Sequence, residues 1–104
     1  MPRFDKLVRD GIPRKLEEKG VEYTTHIANA QEYLNALVLK LGEEVREFET
    51  DHNPEELADI LEVVYALAQA QGISREQLEQ IRAQKAAERG AFQERIILEE
   101  AAED

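Results

Sequence analysis

The chain has 104 residues and no cysteine, and its 13 basic and 23 acidic side chains give a formal charge of −10. That length suits a single domain over 1–104, and the missing thiols exclude disulfides and thiolate metal sites. The acidity argues against coating DNA or RNA, where affinity comes from cations set against phosphates. It does not exclude a phosphate-bearing substrate, because a bound divalent cation inverts the local field. Residues 1–5 carry no apolar signal core and no apolar run reaches membrane-spanning length, so a cytoplasmic protein without a membrane partner is expected. A hydrophobic fraction of 42% provides a modest core. A second copy would supply further burial, which makes a homodimer or higher homo-oligomer the expected state.

In chain order, residues 10–19 read as a first short helix, with Pro13 near its start and Gly20 past its end. Residues 21–27 alternate with period two and suit an extended segment. Asn29 with Glu32 makes a capping-box signature, and helical spacing of Tyr33, Leu34, Leu37, Val38, Leu41, Val45 and Phe48 follows to about Glu49. After a turn at 51–54, Asn53 and Pro54 restart a helix whose apolar stripe is Leu57, Ile60, Leu61, Val64, Leu67 and Ala68. Gly72 ends it, and Ser74 with Gln77 opens another that runs to Arg89 and Gly90. The fold class is therefore mainly α, an antiparallel bundle of about four helices. Two short strands near 21–27 and 92–98 could pair beside it. The short turn makes the two central helices antiparallel neighbours.

Between positions 43 and 62 stand nine acids, Glu43, Glu44, Glu47, Glu49, Asp51, Glu55, Glu56, Asp59 and Glu62, against one base, Arg46. Like charges at helical spacing repel, and a solvated face ordinarily interleaves bases. With the stripe centred near Leu41, Leu34 and Val45, Glu44 falls roughly 60° off centre and Glu47 roughly 120° off on the same flank. Glu56 and Asp59 flank the next stripe in the same way. Each pair is spaced i, i+3, so an antiparallel turn can bring four carboxylates together as a hard-oxygen site for Mg²⁺ or Mn²⁺. Isolated, such acids are more often surface solubilisers; their pairing across one turn is what favours metal.

Lys85 and Arg89 continue the Leu78/Ile81 stripe of the last helix, which points them inward as grips for phosphate oxygens, or else as snorkelling stems. Arg9 and Asp10 precede the first helix and either contact an anion or form a local ion pair. His26 and His52 read as strand and turn residues, not ligands.

The stretches Glu43-Glu44-Val45-Arg46-Glu47 and Glu56-Leu57-Ala58-Asp59 together resemble the MazG-like all-α nucleoside triphosphate pyrophosphohydrolases. Lys6-Leu7-Val8-Arg9-Asp10-Gly11-Ile12-Pro13 and the closing Lys85 to Phe92 block resemble the short phosphoribosyl-ATP pyrophosphohydrolase-like branch. The resemblance implies a Mg²⁺-dependent enzyme that cleaves a nucleoside triphosphate between α- and β-phosphates, releasing monophosphate and pyrophosphate. It implies Glu44, Glu47, Glu56 and Asp59 as metal ligands; separately, crowding raises carboxylate pKa values, which suits Glu44 or Glu47 to accept the proton of the attacking water. It assigns Lys85 and Arg89 to phosphate binding, with Arg9 beside them and Asp10 as a substrate contact. Glu43 is expected outside the ligand set. Phosphoribosyl-ATP hydrolysis is the enzymatic alternative, and a non-enzymatic acidic module binding nucleotide, metal or a protein is the alternative of another class.

Overall fold

The computed structural model describes residues 2–103. Among the described residues four helices form: α1 (Ile12–Glu18), α2 (Ala30–Asp51), α3 (Pro54–Ala70) and α4 (Arg75–Arg89). The starts are set by the side chains anticipated from the sequence. Asn29 accepts from the Glu32 amide, Asn53 from the amides of Glu55 and Glu56, and Ser74 closes a reciprocal capping box with Gln77. α3 ends in paired bonds from the Gly72 amide to Gln69 and from the Ile73 amide to Ala68, a geometry that needs the left-handed backbone of Gly72 (φ 77°).

α2 and α3 turn back on each other through His52 and Asn53 and pack along their length, while α4 packs on the other flank of α3 and α1 packs on none of the three. The helices thus make one layer with α3 in the middle. A single layer has no opposite layer to close a core against. The consequences are measurable. Only Leu37, Val63 and Ala68 are buried hydrophobics among the described residues. The radius of gyration is 18.2 Å, against about 13 Å for a compact chain of this length.

Two expectations change. Residues 21–27 and 92–98 form no strand: the first is coil, the second opens in a turn closed by the Arg95 amide on the Phe92 carbonyl, and Ile27, Phe92, Ile96, Ile97 and Leu98 are exposed. An isolated two-stranded ribbon is only marginally stable, and no helical face backs these segments. The buried stripe of α2 is also rotated from its expected centre. Leu37 and Glu44 are its most buried members, at 2% and 6% exposure, whereas Val45 is 40% exposed.

Candidate metal centre

The acid pairs stand where α2 leaves toward the turn and α3 returns from it. Spacing of i, i+3 puts Glu44 beside Glu47 and Glu56 beside Asp59, and the antiparallel turn sets the pairs face to face. One carboxylate oxygen from each of the four lies within 4.8 Å of all the others. Glu43, one residue before Glu44, points away and pairs instead with Lys6 at 3.1 Å and Lys40 at 3.5 Å.

Glu44 is buried and Glu56 and Asp59 are half-buried, which sets the cluster apart from a surface patch, while Glu47 stays exposed. Glu44 is 6% exposed, and its Oε2 has no hydrogen-bond partner; the Oε2 of Glu56 is in the same condition. An unpartnered buried carboxylate oxygen costs free energy unless something positive reaches it. Burial, and then the neighbouring Glu47 carboxylate, raises the Glu44 carboxyl above the usual 4.5, against the opposing pull of Lys40. Burial also raises Glu56, and the neighbouring charges of Asp59, Asp51 and Glu44 add to it, while Glu47 opposes the rise. Burial pushes Glu43 upward too, but Lys6 and Lys40 outweigh it and hold that carboxyl below the ordinary range. The shifts therefore separate Glu43 from the tetrad on electrostatic as well as geometric grounds. Four converging oxygen donors with two orphaned oxygens and no sulfur or nitrogen fit a hard divalent cation such as Mg²⁺.

Two bases border the tetrad. Lys40, one helical turn before Glu44, reaches its Oε1 at 3.3 Å and is itself mostly buried. Arg9 crosses from the N-terminal segment to Asp59, Nη2 to Oδ1, at 2.6 Å. Sequence reading missed Lys40, although its i, i+4 spacing from Glu44 was the available signal. Beside the tetrad runs an open groove of about 760 Å³ whose walls include Arg9, Asp10, Tyr33, Lys40, Glu44 and Tyr65. Asp10 is thereby placed at the groove. Arg75 stacks over the Tyr65 ring at 4.3 Å near its far end.

Lys85 and Arg89 do not face inward. Both are exposed and neither lines the groove. The apolar contact of α4 with α3 gathers around Leu61, Val64 and Leu78, and no layer lies over the later turns of α4 to give its stripe an inside. His52, in left-handed backbone (φ 52°), closes α2 and packs edge-on against Phe48 instead of entering the tetrad. Among the described residues no helix is long and apolar enough to cross a membrane. No family model matches the chain, and no curated protein or solved structure does.

Proposed function

We propose that this protein is a Mg²⁺-dependent nucleotide pyrophosphohydrolase, with Glu44, Glu47, Glu56 and Asp59 holding the cation and the adjoining groove holding the substrate. The observation that carries the reading is the convergence of four carboxylates, two with buried oxygens lacking any partner. An acidic surface kept for solubility has no reason to bury Glu44 to 6% exposure.

Magnesium bound there supplies polarisation of the phosphoryl oxygens and offsets charge on departing pyrophosphate. The chain's own residues do the rest. Lys40 and Arg9 supply cationic donors at the mouth of the groove for phosphate oxygens. Glu44 or Glu47 accepts the proton of the attacking water, the two carboxylates standing together at the cation. The bond broken joins the α-phosphorus to the bridging oxygen of the β-phosphate. Lys85 and Arg89 join the phosphate grip only where another chain's helices face the end of α4. The resemblance to MazG-like enzymes favours a nucleoside triphosphate over phosphoribosyl-ATP, since nothing in the groove is specific to a second ribose phosphate.

The reading includes a second copy of the chain. The protein exposes 9564 Å², whereas a compact monomer of 11.9 kDa exposes about 6,000 Å². The difference exceeds the ~800 Å² per partner that a stable interface buries.

The deciding assay incubates the purified protein with Mg²⁺ and a panel of canonical and damaged nucleoside triphosphates, together with phosphoribosyl-ATP, and measures pyrophosphate. Release is expected, and Glu47→Gln or Asp59→Asn is expected to abolish it with the helical circular dichroism retained. Wild-type turnover in either variant sinks the site assignment. Nucleotide binding without any release favours the non-enzymatic module.

A further inference from the structure

The segment before α1 lies across the acid tetrad as a strap. Lys6 reaches Glu43 on α2, and three residues later Arg9 reaches Asp59 on α3, so the strap spans both helices. Leu7 and Val8 between them line the same groove. Arg9 therefore pairs with one of the four carboxylates assigned to the cation. A guanidinium and a divalent cation drawn to the same carboxylate repel each other, so metal at the tetrad loosens the hold of Arg9 on Asp59.

We infer that Arg9 is an exchanging phosphate clamp: it neutralises Asp59 while the tetrad is empty, is displaced when metal binds, and turns to the phosphate oxygens of the nucleotide. This rests on the metal-hydrolase reading and adds an order of events to it. Three features support the exchange. The Arg9–Asp59 pair is substantially solvent-exposed, with side-chain exposures of 57% and 36%, so it is weak and readily broken. The strap is tethered a second time through Lys6 to Glu43, which lies outside the tetrad, so releasing Arg9 leaves the strap in place. Arg9 already lines the groove with Lys40, and a planar guanidinium matches two phosphate oxygens at once.

The exchange has an opposite-signed signature that a merely structural ion pair lacks. In Arg9→Ala, Mg²⁺ alone binds more tightly, because its competitor is gone, on the order of two- to five-fold for an exposed pair. In the same variant a non-hydrolysable nucleoside triphosphate, added at saturating Mg²⁺, binds about tenfold or more weakly, because a charge-assisted contact is lost. Lys6→Ala, at a tether outside the tetrad, leaves the affinity for Mg²⁺ alone unchanged. Titration calorimetry on the full chain reads all three, with circular dichroism showing that each variant keeps its helices. Arg9→Ala moving both affinities in one direction, or neither, overturns the exchange. Metal binding by the wild type with no change in Arg9→Ala defeats this inference alone. Absence of Mg²⁺ binding by the wild type removes the metal site and the exchange together.

Discussion

Lys40 and Glu44 form a nearly buried ion pair inside one helix, Nζ to Oε1 at 3.3 Å, and the other oxygen of Glu44 has no partner at all. The lysine thus answers half of a carboxylate whose remaining half faces three more acids. A pair taken out of water in this way stabilises little on balance, yet removing one member leaves an uncompensated charge.

Lys40→Met keeps much of the side-chain volume and deletes the charge. In the metal-free protein it is expected to lower stability by about 1–3 kcal/mol, less than a fully buried pair because the groove admits water. Saturating Mg²⁺ should recover most of that loss by replacing the missing positive charge. Urea unfolding in chelator and in Mg²⁺ measures both values. An unchanged midpoint in chelator would show that Glu44 does not depend on Lys40.

Glu44→Gln tests the opposite member. A neutral amide of the same shape relieves repulsion within the tetrad, and Lys40 retains Glu43. Stability in chelator at neutral pH should rise by about 1 kcal/mol. The rise in melting temperature on adding Mg²⁺ should disappear, since that rise is ligand binding to the folded state. A variant more stable alone and indifferent to metal identifies Glu44 as a residue kept for function at some cost to folding.

Much of this centre was legible because helical periodicity is rigid. Spacing of i, i+3 on both sides of a two-residue turn leaves Glu44, Glu47, Glu56 and Asp59 little choice but to converge. The caps at Asn29, Asn53 and Ser74 were equally readable, being local chemistry. What the wheel misjudged was which face of α2 is inside. It assumes one apolar face per helix, and α2 has apolar residues on two sides. Leu37 and Glu44 face α3, while Val38 and Val45 look outward. The same assumption turned Lys85 and Arg89 inward, where no layer exists to receive them. Arg9 meeting Asp59 fifty positions away is a tertiary fact with no local signature.

The raised carboxyls of Glu44 and Glu56 predict an unusual pH profile. Folding holds their protons more tightly than the unfolded chain does. Their contribution is therefore fully present below the ordinary value of 4.5 and is lost as pH rises through the raised folded values. In chelator, melting temperature should climb as pH falls through those raised values toward 4.5. In Mg²⁺ the slope should reverse, because the cation binds the deprotonated tetrad and competes with those protons. Calorimetric melts across that range, with and without metal, decide it; parallel slopes would mean that the tetrad does not titrate with metal.

The exposed side of the helical layer gives the last prediction. On the wheel, Val38 and Val45 of α2 and Leu57 of α3 fall on the side opposite the strap and groove. Val38 is 56% exposed and Leu57 51%. α3 is apolar around most of its circumference, a pattern that belongs to a helix covered on several sides. A second copy laid on this side turns one layer into two and gives Leu37 and Val63 a core to belong to. Light scattering should then report at least two chains per particle, and melting temperature should rise with protein concentration. Val38→Lys with Leu57→Lys should lower the particle mass to that of one chain and weaken the helical signal, because a lone layer buries too little to stay folded. Wild-type protein with the mass of one chain and a concentration-independent melt would overturn the assembly while leaving the acid tetrad untouched.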